Sequence, residues 1–110
     1  MIRALCCAAS IAITVVSPSA VAEGDIDNGR LQAQTCMGCH GAPGMRNAYP
    51  GYRVPKLGGQ HAEYIVAALQ AYKAKLRSHP TMQAQAADLS DKDMADIAVY
   101  FASLKDISPE

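Results

Sequence analysis

The chain has 110 residues, with ten basic and ten acidic side chains and a formal net charge of zero. This length excludes two domains and a large enzyme cleft, and the balanced charge argues against wholesale nucleic-acid binding, which needs a strong basic excess. The charge is nevertheless divided along the chain. Residues 30–87 carry seven basic side chains against Glu63 alone, whereas residues 88–110 carry six acidic side chains against Lys92 and Lys105.

Residues 1–22 have the pattern of a secretory leader. One charged residue, Arg3, precedes an apolar run over residues 4–16, and small residues at both ends of the 20–22 triplet form an A-x-A cleavage site. We therefore expect cleavage before Glu23. The alternative, an uncleaved membrane anchor, is disfavoured because the apolar run spans only about 20 Å as a helix, short of the ~30 Å hydrocarbon core.

The expected mature domain, residues 23–110, has few large apolar side chains for one small core. Fourteen of its hydrophobic residues are alanine, and it has one phenylalanine and no tryptophan. A domain of this size needs an additional stabilising element, such as a disulfide, a metal or a bound partner. Because Cys6 and Cys7 belong to the leader, Cys36 and Cys39 are the two cysteines of the mature domain.

Residues 36–40 are Cys-Met-Gly-Cys-His, the C-x-x-C-H pattern of covalent haem attachment. Two thiols at this spacing can form thioethers with the two vinyl groups of one porphyrin, and His40 then reaches the iron from the same side. Its second ring nitrogen should donate to a carbonyl. A thioredoxin-like dithiol would need a surrounding βαβ pattern, and a zinc site would need a second ligand pair. The pattern predicts one haem c, bound through Cys36 and Cys39.

The rest of the mature chain has helical periodicity and no strand signal. Helices are predicted from Asp25 or Asp27 to about Cys36, from about Gln60 to Leu76, and from about Asp91 to Leu104. A loop rich in glycine and proline is expected from Gly41 to Gly59. Residues 78–81 are expected to be loop around Pro80, followed by a short turn over residues 82–87. Ser90 and Asp93 form the start signal of the last helix.

The sixth iron ligand separates an electron carrier from a haem enzyme, because iron held by His40 alone would be open to other ligands. The candidates in the mature chain are Met37, Met45, Met82, Met94, His61 and His79. The first two lie too close to His40 to reach the far haem face, and Met94 falls on the apolar stripe of the last helix. Met82, 42 residues beyond His40, is best placed, with His79 and His61 as the alternatives.

Together these features resemble the class I c-type cytochromes, in particular the single-haem relatives of the bacterial cytochrome c4/c553 group. The resemblance covers residues 24–104. Its motifs are C-x-x-C-H-G, Pro55-x-Leu57-x-Gly59-Gln60, Tyr64, Leu69-x-x-Tyr72, Arg77-x-x-Pro80-x-Met82, Ala86, Leu89-Ser90-Asp91-x-Asp93 and Tyr100. The sequence departs from the group at Lys75, where glycine is common. The haem motif is not repeated, which excludes a di-haem arrangement within this chain.

The resemblance implies a small all-α class I cytochrome c fold, with three to four helices wrapped around one covalently bound haem. It implies that Met82 provides the axial sulfur and that the Pro55 carbonyl receives the ring N–H of His40. It also implies that Gly29 lets the first helix cross closely over Tyr100 in the last.

The predicted function is single-electron transfer between redox proteins in the periplasm, and not an enzymatic reaction. Iron ligated by His40 and Met82 is six-coordinate, so neither oxygen nor a substrate needs to bind. Arg77 is expected either to contact a haem propionate or to lie in solvent. We expect the basic centre of the chain to steer docking to an acidic patch on a donor or acceptor protein, without nucleic acid or stable membrane insertion.

Two alternatives remain open at this point. One is a haem enzyme or ligand sensor in which the sixth ligand is displaceable. The other is a haem subunit that stays tightly bound to a dehydrogenase or an oxidase.

Overall fold

The computed structural model describes residues 23–41, 44–49 and 51–104. Within these ranges the chain forms five helices and one two-stranded antiparallel hairpin. The helices are α1 (Ile26–Gln32), α2 (Gln34–His40), α3 (Ala62–Lys73), α4 (Pro80–Ala86) and α5 (Asp91–Ser103), and the strands are β1 (Arg46–Ala48) and β2 (Gly51–Arg53). The predicted leader, residues 1–22, lies outside the described residues. No helix in the described ranges is long and apolar enough to cross a membrane.

The first predicted helix is two helical segments in the structure. Asp25 caps α1, because its carboxylate accepts hydrogen bonds from the backbone N–H groups of Asp27 (2.9 Å) and Asn28 (3.1 Å). The segments meet at the buried Ala33, whose ψ of −2° departs from the ordinary helical value of about −42°. The helical run also reaches His40, beyond the predicted end. A further helix, α4, forms where a loop and a short turn were predicted, so the described helices number five and not three to four.

Helix α1 crosses α5 at very short range, as the resemblance implied. A Cβ placed on Gly29 would lie 2.0 Å from the backbone oxygen of Asp96 and 3.0 Å from Cβ of Tyr100. Any side chain at this position would push the two helices apart, because packed backbones yield little. Glycine is thus required by the approach of the helices.

A buried carboxylate joins α5 to the start of α1. Asp96 is 0% exposed, and it accepts hydrogen bonds from the Asp25 backbone N–H (2.8 Å), the Asn28 side-chain amide (2.6 Å) and the Lys92 ammonium (2.6 Å). These bonds, that of Lys92 foremost, lower the pKa of Asp96 to about 2. The carboxylate is therefore ionised and fully satisfied inside the fold.

Helix α5 begins where the start signal predicted. Ser90 Oγ accepts from the Asp93 N–H (3.1 Å), and the Asp93 carboxylate accepts from the Ser90 N–H (2.9 Å), which completes a capping box. Of the apolar stripe predicted for the last helix, Met94, Ile97, Ala98 and Phe101 are buried, so Met94 is core as expected, whereas Leu104 is the C-cap of α5 and is half-buried. The main core consists of Ala33, Ile65, Leu69, Ala86, Met94, Ile97, Ala98 and Phe101.

Helix α3 ends three residues before its predicted end. The Leu76 N–H bonds to the Ala71 carbonyl (2.9 Å) and the Lys75 N–H bonds to the Tyr72 carbonyl (3.0 Å), the two bonds of a Schellman motif. Lys75 occupies the left-handed position of this motif, with φ of +59°. The sequence places Leu76 at the end of an apolar stripe that also contains Ile65, Ala68, Leu69 and Tyr72. That assignment is wrong for Leu76, since its side chain is 85% exposed.

The prediction of loop throughout residues 41–59 is wrong at the hairpin. Strands β1 and β2 pair with Arg46 opposite Arg53, and the Val54 N–H extends the pairing to the Met45 carbonyl (3.0 Å). Strands of three residues are too short to show a reliable alternation of polar and apolar residues. The sequence pattern therefore predicts the turn residues of this segment but not the pairing of its two strands.

Candidate haem-binding site

A cavity of about 420 Å³ lies between the helices and the hairpin. This volume is in the ordinary range for small-molecule and cofactor sites. All six predicted site residues line it: Cys36, Cys39, His40, Pro55, Arg77 and Met82. The fold thus brings together residues that are as much as 46 positions apart in the sequence.

The two thiols and the imidazole come from α2. Positions i, i+3 and i+4 lie on one face of a helix, so Cys36, Cys39 and His40 all reach the cavity wall. Both cysteines are free thiols, Cys36 half-buried and Cys39 exposed. Burial raises the pKa of the Cys36 thiol. Neither sulfur is consumed by a disulfide, so both are available for thioether bonds.

His40 is oriented by the segment that follows the hairpin. Its Nδ1 lies 2.6 Å from the carbonyl oxygen of Pro55. A carbonyl can only accept, so Nδ1 carries the proton and donates to it. The other nitrogen, Nε2, then has its lone pair available for a metal, which is the tautomer that a ligating histidine requires.

Met82 lies in the first turn of α4. The proline that was expected to interrupt structure instead begins this helix, since Pro80 is its first residue and proline is well tolerated there. His79 is the N-cap, and its Nδ1 accepts the backbone N–H of Met82 at 3.3 Å. Gln83 adds a side-chain bond to the Arg77 carbonyl (2.9 Å). The start of α4, and with it Met82, is therefore fixed from both sides.

Two tyrosines hold His79 in place. Its ring meets that of Tyr52 edge-on with centroids 4.8 Å apart, and that of Tyr72 at 6.4 Å. The Tyr52 hydroxyl is also within hydrogen-bond distance of Thr81 Oγ1 (3.2 Å). The hairpin is thereby attached to α4 through Tyr52.

The structure divides the candidates for the sixth ligand into two groups. Among the described residues, Met82 and His79 line the cavity, whereas Met37, Met45, Met94 and His61 are not part of its wall. His61 is an exposed residue at the start of α3 without a side-chain cap bond. His79 already uses Nδ1 for the cap of α4.

Arg77 is exposed at the cavity wall but is held by aromatic side chains. Its guanidinium lies over the ring of Tyr72, 4.8 Å from the centroid. Its Nη1 is 3.4 Å from the Tyr64 hydroxyl, and this bond raises the pKa of Arg77. Contacts with Tyr72 and Tyr64 therefore fix the position of the charged guanidinium.

The described wall of the cavity carries positive charge and no carboxylate. Its charged side chains are Arg53, Lys56 and Arg77, and its apolar part includes Leu57, Ile65 and Leu69. This wall suits a large, flat, mostly apolar group with acidic substituents, as a porphyrin with two propionates is. Free thiols, a correctly oriented imidazole, a thioether sulfur and matching charge together fit haem c.

Comparison with known proteins agrees with this fit. The family model described as Cytochrome c matches residues 26–105, and the chain belongs to that family. Within the family it is a class I c-type cytochrome of the cytochrome c4 group, with the corresponding fold and with covalently bound haem c.

The match covers very different shares of the length of two relatives. Cytochrome c4 of Pseudomonas aeruginosa is 41% identical over 84 residues, which are 76% of this chain but only 40% of that protein. Cytochrome c-554(548) of Halomonas halodenitrificans is 40% identical over 83 residues, which are 73% of this chain and 96% of that protein. The chain therefore spans less than half of the first relative and matches nearly the full length of the second.

A solved structure and a further named relative are also similar to this chain. The crystal structure of reduced recombinant cytochrome c4 from Pseudomonas stutzeri superimposes with a TM-score of 0.58 and 30% identity, covering 73% of this chain and 48% of that one. A protein named thiosulfate dehydrogenase electron acceptor, from Thiomonas intermedia, is 34% identical over 74 residues, covering 67% of this chain and 33% of that protein.

Proposed function

We propose that residues 23–110 form an exported, single-haem electron carrier of the periplasm, released from its leader by cleavage before Glu23. The haem motif supports this location, because c-type haem attachment in bacteria takes place outside the cytoplasm. The family supports the carrier role, and one relative is named as the electron acceptor of a dehydrogenase. The donor and acceptor are redox proteins.

In this proposal Cys36 and Cys39 would form the two thioethers that hold haem c, and His40 and Met82 would ligate its iron. When bound, haem supplies one-electron ferric/ferrous chemistry. The observation that carries the assignment is that Met82 lines the same cavity as the C-x-x-C-H residues, although 42 residues separate it from His40.

The protein's own residues support a carrier rather than an enzyme. Pro55 keeps the His40 proton on Nδ1, so the imidazole binds as a neutral ligand. The soft sulfur of Met82 favours the ferrous state and raises the potential. The apolar part of the cavity wall, which includes Leu57, Ile65 and Leu69, would further disfavour the extra charge of ferric iron. If His40 and Met82 both ligate the iron, no substrate would have to reach the metal.

The absorption spectrum of the ferric holoprotein tests this proposal. We expect the charge-transfer band in the red that a methionine sulfur gives with ferric iron, and slow binding of carbon monoxide to the reduced protein. Met82→Ala should abolish the band, lower the potential and open the iron to carbon monoxide. Met45→Leu is the matched control, because it removes a methionine outside the cavity wall and should leave all three properties unchanged.

A high-spin resting spectrum with rapid carbon monoxide binding in the unmodified protein would instead support a haem enzyme or a ligand sensor. Persistence of the red band in Met82→Ala would refute the ligand assignment alone. Gel filtration of the native periplasmic fraction separates a free carrier, which elutes at the size of one domain, from a bound subunit.

A further inference from the structure

The hairpin places two arginines directly opposite each other. Arg46 and Arg53 are cross-strand partners, and both are exposed, whereas Asn47 and Tyr52 on the other face are half-buried. Like charges in direct opposition destabilise an antiparallel pair. The segment from residue 41 to residue 60 contains no carboxylate that would offset this repulsion. An acidic substituent of the group in the cavity can offset the charge of Arg53, which lines the cavity. Arg46 is not part of the cavity wall, so an anionic group on another molecule would stabilise the pair further.

An exposed aromatic residue lies between the two strands. Tyr49 is 94% exposed and follows the last residue of β1. A single exposed tyrosine needs no explanation by itself. Tyrosine and arginine are, however, the residue types that dominate binding energy at protein interfaces, and here three of them share one short hairpin.

The hairpin is attached next to the candidate haem site. Tyr52 contacts both His79 and Thr81 at the start of α4, and Arg53 is part of the cavity wall. A molecule bound to the exposed face of the hairpin would therefore lie beside the cavity. A protein bound there would lie close to the group held in the cavity, and a short distance favours outer-sphere electron exchange.

We propose that the hairpin, with Arg46 and Arg53 on its exposed face and Tyr49 in its turn, docks a cluster of carboxylates on the surface of a redox-partner protein. Charge complementarity selects this occupant, because two guanidinium groups on one face can share carboxylates through charge-assisted hydrogen bonds. Tyr49 adds an apolar contact that salt does not screen. The inference rests on the proposed function, since it identifies the surface through which electrons would be exchanged.

The test uses the ferrous holoprotein labelled with ¹⁵N and poly-L-glutamate as the probe, followed by amide chemical shifts. We expect the shift changes to concentrate in residues 46–53. Arg46→Gln/Arg53→Gln should weaken binding about fivefold or more and reduce its salt dependence. Arg30→Gln/Lys75→Gln is the matched control, since it removes the same charge from exposed positions outside the hairpin and should change binding less than about twofold.

A third variant separates the aromatic contact from the charge. Tyr49→Ser should weaken binding while leaving its salt dependence unchanged, because it removes apolar contact and no charge. Equal losses in the two double variants, or shift changes centred outside the hairpin, would overturn the proposal. So would hairpin shifts that depend on protein concentration without poly-L-glutamate, which would show that a second copy of the chain occupies this face.

Measurements on the same samples distinguish a failure of the docking surface from a failure of the proposed function. The red band and reversible one-electron reduction are measured on each variant before titration. Their absence in the unmodified protein would refute the carrier proposal whatever the hairpin binds. Their presence together with an inert hairpin would refute the docking surface alone.

Discussion

The Nδ1 atom of His79 accepts the backbone N–H of Met82 at 3.3 Å, so the histidine caps the helix that carries the methionine. Helix α4 has only seven residues, and such a short helix depends on its cap and on tertiary contacts. The two residues considered as rival iron ligands are thus partners in the structure. We interpret His79 as a positioning residue for Met82.

His79→Ala is therefore expected to disturb Met82 without removing it. Loss of the cap should lower the free energy of unfolding by about 1 kcal/mol and weaken the red band of the ferric protein. Asparagine is a good N-cap residue, so His79→Asn should restore both properties. Chemical denaturation and the absorption spectrum measure the two effects.

If His79 were instead the sixth ligand, both substitutions would change the ligand set equally, and asparagine would rescue nothing. An unchanged red band in His79→Ala, with normal stability, would show that Tyr52 and Tyr72 fix the start of α4 without the cap.

Local motifs predicted the chemistry of the site, because their geometry is set by neighbouring residues. The C-x-x-C-H pattern needs one helical turn, and the Ser90–Asp93 pair needs only three residues to form its box. The start of α4 carried a usable signal as well, since proline at the first helical position with a polar residue before it is typical of a helix start. That signal would have identified His79 as a cap.

Features that depend on contacts between distant segments were not predictable in this way. Asp96 lies within an apolar stretch of α5, and its partners Asp25 and Asn28 are about 70 positions away. The pairing of Arg46 with Arg53 depends on strands too short to show a period. Leu76 fits a helical stripe in the sequence, but the chain leaves the helix before reaching it.

Because α1 and α5 cross closely, we expect alanine substitutions at two glycines to differ greatly in their effect on the free energy of unfolding. Gly29→Ala would force a Cβ to within 2.0 Å of backbone, so the helices must separate, at a cost of about 3 kcal/mol in the free energy of unfolding. Gly38→Ala is the control, since nothing lies within 4 Å of a Cβ there and alanine favours the helix by up to about 1 kcal/mol. Denaturant titration of both holoproteins measures the difference. Similar stabilities would contradict the close crossing.

The left-handed residue after α3 predicts a stabilising substitution. Lys75 has φ of +59°, a conformation that costs a non-glycine residue about 1–2 kcal/mol. Lys75→Gly relieves this strain, and the greater freedom of glycine in the unfolded chain offsets about 0.4–1 kcal/mol of the gain. We expect a net increase of about 0.5–1 kcal/mol in the free energy of unfolding.

Ala74→Gly is the control for that change. Ala74 precedes Lys75 and has an ordinary right-handed conformation, with φ of −76°. Glycine there adds freedom to the unfolded chain without relieving strain, so stability should fall by about 0.5–1 kcal/mol. Thermal unfolding of the two variants should therefore shift in opposite directions, and a loss of stability in both would indicate that Lys75 is not strained.

The lowered pKa of Asp96 leads us to expect that the free energy of unfolding decreases in acid. Its pKa is lowered to about 2 in the folded protein, against about 3.9 for an unfolded aspartate. Between these values the unfolded chain binds more protons, so this contribution to stability is complete above about pH 4 and is lost as the pH falls towards 2. Asp96→Asn should therefore destabilise the protein at pH 7 and flatten the dependence of its unfolding free energy on pH between about 4 and 2. Asp88→Asn, at an exposed position, should keep the slope. An equally steep slope in Asp96→Asn would show that another carboxylate controls acid unfolding.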